Sequence, residues 1–202
     1  MKLHTQSVAP GLLDLLQKLM KEDGLSSFAL AGGTALTLRL GHRTSVDIDL
    51  FTCSSFDTRE TAERLKARYG MKEVETTKNT VRGIIDGIKI DLIAHRYPLL
   101  KPLNEIAGIR MFSCEDIAAM KLNAITNRGC KKDFWDYAEL LQIYSRDEML
   151  SFFARKYKND RLWNVEKSLT YFDDAETEPD PRDLHGQSWE AIKQTVLSSA
   201  RL

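Results

Sequence analysis

Apolar residues recur in two rhythms along the chain, and the change of rhythm divides it. Between Gly11 and Asp23, Leu12, Leu13, Leu15, Leu16, Leu19 and Met20 fall at helical spacing. This predicts an amphipathic helix stopped at Gly24. The apolar run Phe28 to Gly32 predicts a short buried strand, Thr34 to Gly41 a helix closed by Gly41, and Val46 to Thr52 another strand. Asp57 is placed to cap a helix running to Gly70. Weak alternation over Lys72 to Thr77 precedes "TVRGIIDGIKIDLIAH", where Asp86-Gly87 between two apolar runs marks a hairpin. One more short strand is expected at Ile109 to Phe112.

After Ser113 the period becomes helical. Ser113 with Asp116 three residues on resembles a capping box. Helices are predicted over 117–125, 133–144, 147–157 and 189–197. The stretch "DDAETEPDPRD" holds six acids, two prolines and one arginine, and predicts a loop. No internal repeat is visible. The expected division is an α/β half over 1–112 and a helical half over 113–202.

Composition sharpens this picture. At 202 residues, 43% apolar, the chain can bury a real core as one domain, or as a small catalytic domain with another appended. Lys plus Arg equals Asp plus Glu at 29 each, which argues against a protein living on non-specific phosphate contacts. Cys53, Cys114 and Cys130 show no CxxC pair, so neither a disulfide framework nor a zinc site is indicated, and they read as small apolar residues in a reducing compartment. The N-terminal leucines are interrupted by Asp14, Gln17, Lys18 and Lys21, unlike a signal peptide, and no stretch approaches the roughly 18 apolar residues of a membrane span. A cytoplasmic protein with no membrane partner is expected.

The candidate chemistry lies in the strands. Asp47 and Asp49 alternate with Val46, Ile48 and Leu50, so both carboxylates share one face of the strand, with Cα atoms about 6.5 to 7 Å apart. Two such groups raise each other's pKa unless a cation lies between them. A hard divalent ion meets that need, Mg2+ being the usual choice where phosphates complete its shell. In "GIKIDLI", Asp91 shares the polar face of the hairpin with Lys89 and could join them; taken alone, a solvated acidic strand face explains the same residues. Gly32-Gly33-Thr34 follows a strand and opens a helix, a turn that lets phosphate oxygens approach backbone N–H groups, or a simple tight turn.

Gly-Gly-Thr, a helix, Asp-x-Asp on a strand and a later strand Asp together resemble the polymerase-β-like nucleotidyltransferase superfamily, and within it the AbiEii-type toxin family. "GHRTSVDIDLF" is similar to that family's approach to its metal-binding acids. "KLNAITNRGCKKDFWDYAELL" is similar to its helical motif, with a lysine, then R-G, K-D and a second aspartate. The resemblance implies an α+β fold, a mixed sheet flanked by helices followed by an α-helical domain, with the site between them. It implies metal ligation by Asp47, Asp49 and Asp91, and catalytic parts for Asp91, Lys121 and Asp133. Gly32, Gly33 and Thr34 would line the triphosphate. Arg43 and Ser45 flank the strand entry, Arg43 either binding phosphate or neutralising the acids. A structural ion pair could also explain Lys121, a charge on a mostly apolar helix. Arg128, Lys131 and Lys132 read as a solvated helix end or as a contact for a nucleic-acid backbone.

The activity so implied is transfer of a nucleoside monophosphate from an NTP to an acceptor hydroxyl, with two Mg2+ ions, or Mn2+ in their place. A tRNA or other RNA acceptor, a cognate antitoxin and a role in phage defence are the implied partners and setting. The alternatives are a small-molecule or protein acceptor, or a catalytically silent nucleotide-binding module. His4, His42, His95 and His185 have no metal-ligand spacing, and Trp135, Trp163 and Trp189 are expected in packing.

Overall fold

Alternation in the first half builds one mixed sheet. In the computed structural model, which describes residues 2–200, its strands are β1 (Ala29–Leu30), β2 (Ile48–Thr52), β3 (Lys72–Thr77), β4 (Thr80–Ile85), β5 (Ile88–Ala94), β6 (Asn104–Ile106) and β7 (Ile109–Met111). They lie in the order β3-β4-β5-β2-β1-β7-β6. At its centre β2 and β5 run parallel, with Ile48, Leu50, Ile90 and Leu92 fully buried on one face. The predicted hairpin joins β4 to β5: Asp86 and Gly87 both have positive φ, as a two-residue type I′ turn requires.

Three strand boundaries differ from expectation. β1 stops at Leu30, and Gly32 begins the next helix. β2 starts at Ile48, because Ser45 is held by the segment 7–9: Ser45 N–H donates to Ser7 O at 2.9 Å and Ala9 N–H to Ser45 O at 3.1 Å. Val46 consequently turns to solvent, 57% exposed, instead of joining Ile48 and Leu50 in the core. β6, polar at two of its three residues, carries no apolar signal and was not expected.

The helices follow the caps. α1 (Leu12–Met20) ends at Lys21; Gly24 belongs instead to a 3-10 turn, Asp23–Leu25, where the Arg64 side chain leaves no room for a Cβ. α2 (Gly32–Leu40) closes at Gly41 with φ +71°. α3 (Thr58–Tyr69) opens on Asp57, whose carboxylate accepts from the N–H groups of Arg59 and Glu60. Next come α4 (Cys114–Asn127), α5 (Lys131–Leu140), α6 (Arg146–Tyr157), α7 (Trp163–Leu169), α8 (Asp173–Glu176) and α9 (Trp189–Ala200). α7 and α8 were not expected; α8 occupies the start of the acidic stretch read as a loop. Ser113 caps α4 as predicted, accepting from Asp116 N–H at 3.0 Å.

One apolar core runs through both halves, with Phe112, Ile117 and Leu122 joining sheet to helices. Trp135 and Trp189 stack within it at 5.9 Å, whereas Trp163 is 67% exposed, against expectation. A fully buried ion pair, Lys156 Nζ to Asp116 Oδ1 at 2.7 Å, ties α6 to α4. Asp116 also accepts from the N–H groups of Leu100 and Lys101, so it pins the loop that follows β5.

Candidate active site

The acids converge because of strand register. Asp49 in β2 is the direct partner of Asp91 in β5, and in a parallel pair opposed residues point to one face. Asp47 lies just before β2 and lines the same cleft, whose volume is about 400 Å3. Across it, α4 offers Met120, Lys121, Asn123, Ala124, Asn127 and Arg128, one face at helical spacing.

The glycine pair serves two different contacts. Gly32, at φ +69°, faces the Asp49 carboxylate, where a Cβ would stand 3.0 Å from Oδ2. Gly33 faces the Arg43 guanidinium, 2.2 Å from the position of a Cβ. Both line the cleft. The N-cap of α2 is Ala31, with no side-chain cap, so the first-turn N–H groups have no hydroxyl or carboxylate partner there. Thr34 is buried and does not line the cleft. Its hydroxyl donates to Asp47 O at 2.5 Å, which leaves Ser45 as the donor in the 2.7 Å contact between the two hydroxyls. Thr34 thus holds the backbone of the acid loop, and Ser45 faces the cleft.

Behind the cleft lies a buried charge network. Arg43 makes a two-pronged contact to Asp136 (Nε–Oδ1 2.7 Å, Nη2–Oδ2 2.9 Å). His42 Nε2 lies 2.7 Å from Asp136 Oδ1, and Lys121 Nζ is 2.5 Å from Oδ2. Lys121 also donates to Asp133 Oδ1 at 2.8 Å, and Arg128 Nε to Asp133 Oδ2 at 2.8 Å. Burial alone would push both aspartates up, but the cations outweigh it: Arg43 and Lys121 hold Asp136 well below the usual carboxylate range, and Lys121 and Arg128 hold Asp133 below it. Burial likewise opposes charge on Lys121, and Asp133 with Asp136 raises it above its ordinary value. Arg43 therefore pairs its guanidinium with an acid of α5 while also lining the cleft. Lys121 pairs with two carboxylates, as a structural ion pair does, and it also lines the cleft. Asp133 is fully buried and does not line it.

The cleft acids are neutralised unevenly. Asp91 meets Arg82 Nε at 3.1 Å and Lys89 Nζ at 3.8 Å; Asp47 meets Lys132 Nζ at 3.9 Å. Asp49 has no such pair among the described residues, and burial, then the nearby Asp91, pushes its carboxyl up. Among the described residues no three acids already stand in a chelating cluster. An unpaired, half-buried carboxylate flanked by two others is nevertheless the donor chemistry that a hard cation relieves, so the residues present fit one.

Sequence reasoning leaves out Arg82, His42, Asp136 as more than a motif position, and the cleft residues Phe51, His95 and Tyr157. Arg82 was within reach, since a two-residue turn at 86–87 makes residue 82 the partner of residue 91, as observed. Lys131 departs from the solvated helix end: it is buried, with Nζ 3.0 Å from Asp180.

A glycine turn delivering a helix N-terminus to paired strand acids, on this mixed sheet, belongs to the polymerase-β-like fold. Solved structures share that fold. MenT4, a nucleotidyltransferase toxin from Mycobacterium tuberculosis H37Rv, superposes with a TM-score of 0.64 at 17% identity over 94% of this chain and 82% of that one. ANT(2")-Ia in complex with adenylyl-2"-tobramycin gives 0.56 at 20% identity, over 76% and 98%. In sequence, a match over residues 14–85 and 81–202 shows that the chain belongs to the family described as nucleotidyl transferase AbiEii toxin, Type IV TA system, and it is a nucleotidyltransferase. The uncharacterized protein aq_aa25 of Aquifex aeolicus (strain VF5) is 37% identical over 171 residues, 82% of this chain and 83% of that protein. No described helix is long and apolar enough to cross a membrane.

Proposed function

We propose that this cleft moves a nucleoside monophosphate from an NTP to an acceptor hydroxyl, in a toxin paired with a cognate antitoxin and serving phage defence in the cytoplasm. The observation that carries the reading is the Asp49–Asp91 rung, on one face and beside Asp47, opposite Gly32 and Gly33. The acceptor oxygen forms a bond to the α-phosphorus as the bond to pyrophosphate breaks, and its proton passes to Asp91. The α2 N-terminus, Ser45, Lys132 and Arg128 bind the triphosphate oxygens, with Thr34 holding the Ser45–Asp47 loop in place. Lys121, aimed by Asp133 and Asp136, meets charge developing on the leaving phosphates. Asp47, Asp49 and Asp91 would hold Mg2+, two ions, or Mn2+, which supplies neutralisation of phosphate charge and a more acidic acceptor hydroxyl. Residues 1–112 form the nucleotidyltransferase domain in this reading and 113–202 the helical domain.

The acceptor proposed is RNA, tRNA foremost. A small-molecule acceptor, as in the adenylyl-2"-tobramycin complex of ANT(2")-Ia, is the second reading, which the zero net charge fits as well as it fits tRNA. Incubation with each radioactive NTP and a cell extract should label one acceptor class, and Asp47→Asn with Asp49→Asn should abolish it; labelling that persists overturns the assignment. Salt-dependent retention of total tRNA on filters separates RNA from a small acceptor. Absence of Mg2+-dependent NTP binding would point to a silent nucleotide-binding module.

A further inference from the structure

The cleft continues past the acids onto a surface that the reaction just described leaves without a task. The next rung on the same face of β2 and β5 is Phe51 opposite Ile93, about 6.5 to 7 Å further along the strands. His95 follows where β5 ends, its N–H donating to Thr52 O at 2.8 Å. Phe51 meets His95 edge-on, with ring centres 5.8 Å apart, and His95 meets Tyr157 of α6 at 5.7 Å. Tyr97 lies against both rings, at 4.8 and 4.7 Å. Phe51, Ile93, His95 and Tyr157 line the same cleft as Asp49 and Asp91, and none is fully buried.

Half-open rings in a cleft otherwise lined mostly by charged and polar residues are a poor use of apolar area unless something flat covers them. The polar atoms of this wall also suit a heterocycle. Tyr157 Oη and His95 Nε2 lie 3.3 Å apart. Burial, with Lys156 nearby, brings His95 down to about 4, so at neutral pH its ring is uncharged and offers one donor and one acceptor nitrogen. The wall is held firmly: Lys156, adjacent to Tyr157, donates to Asp116 and to Pro98 O at 3.1 Å, which fixes both segments bearing the rings.

We propose that Phe51, Ile93, His95 and Tyr157 form a stacking subsite for a nucleobase of the reacting nucleotides. The inference rests on the nucleotidyl-transfer reading. A ribose separates a base from the phosphate or hydroxyl that reacts, so reacting atoms at the Asp49–Asp91 rung place the base on the next one. Phosphate groups have cationic partners near the acids in Arg82, Lys89, Arg128 and Lys132, whereas this wall offers π-faces and neutral hydrogen-bonding atoms. The base comes either from the incoming NTP or from the acceptor end, and its chemistry is the same in both.

The test is calorimetry of the full chain with Mg2+ and three probes: each NTP, inorganic tripolyphosphate, and a single-stranded ribotrinucleotide with a free 3′ hydroxyl. Phe51→Leu and Tyr157→Leu keep apolar volume while removing the flat ring, and their melting curves report folding. Tripolyphosphate should bind both variants as it binds the parent. NTP or trinucleotide binding should weaken by roughly ten- to hundred-fold, the range of one base on an aromatic ring. A loss confined to NTPs assigns the subsite to the incoming base, and one confined to the trinucleotide assigns it to the acceptor. Unchanged binding of both base-bearing probes overturns the subsite and leaves the phosphate reading standing, as does an equal loss for all three probes. Failure of the parent to bind tripolyphosphate or NTP overturns the nucleotidyl-transfer reading and this inference with it.

Discussion

A Cβ on Gly33 would stand 2.2 Å from Nη2 of Arg43, so the missing side chain of one residue is what admits the guanidinium of the other beneath the start of α2. The guanidinium cannot swing aside, because both its prongs are taken by Asp136. Gly33→Ala should therefore cost about 1 to 3 kcal/mol as an overpacked site, read by urea unfolding. Nucleotide transfer should fall as well, because Gly33 lines the cleft.

Asp136 is the hub of the buried network, and its removal takes a partner from each of Arg43, His42 and Lys121, of which Lys121 keeps Asp133. Asp136→Asn should destabilise by about 3 to 5 kcal/mol, as breaking a buried pair from one side does. The parent's dependence on pH follows from its lowered carboxyls. Asp133 and Asp136 bind protons less readily folded than unfolded, so their stabilisation is complete above the unfolded value of about 3.9 and is lost as pH falls below it. Unfolding free energies measured down to about pH 2 should drop steeply in the parent and less so in Asp136→Asn.

Asp49 behaves oppositely. Its raised carboxyl makes ionisation costly to the fold, so its contribution is best below the unfolded value and is lost as pH rises toward the folded one. Asp49→Asn should melt higher than the parent at neutral pH without added metal, by about 2 to 4 °C per kcal/mol relieved. Mg2+ should raise the melting temperature of the parent and leave that of Asp49→Asn unmoved, while transfer activity is lost. A parent indifferent to Mg2+ in this assay would contradict the metal assignment.

The Lys156–Asp116 pair resists the usual apolar replacement. Asp116 also accepts from two backbone N–H groups and from the Ser113 hydroxyl at 2.8 Å. Lys156→Met with Asp116→Leu should thus remain destabilised, by about 1 to 3 kcal/mol for each donor left without a partner. Chemical denaturation of the double variant beside both single ones decides it.

What the sequence reveals here depends on the range of the cause. The Asp86-Gly87 turn, the Asp57 and Ser113 caps and the Gly41 closure are set by neighbours, and each is readable from a few residues. The common face of Asp49 and Asp91 follows from alternation once both strands are granted. The start of β2 does not, because residues 7–9 hold the preceding loop from more than thirty positions away. Nor does the tie of Arg43 to Asp136, across 93 positions, which no periodicity encodes. Tyr157 ends an ordinary amphipathic helix, and only the packing of α6 on α4 brings it to the cleft.

The segment after α8 has a consequence of its own. Leu184 N–H donates to His42 O and Thr44 N–H to Arg182 O, both at 2.8 Å, while Asp183 accepts from Trp135 Nε1 and Asp180 pairs with Lys131. The loop that presents Ser45 and Asp47 is thus latched by residues translated some 140 positions later. A nascent chain still short of them carries every acid of the site but not the clasp that holds the loop before β2.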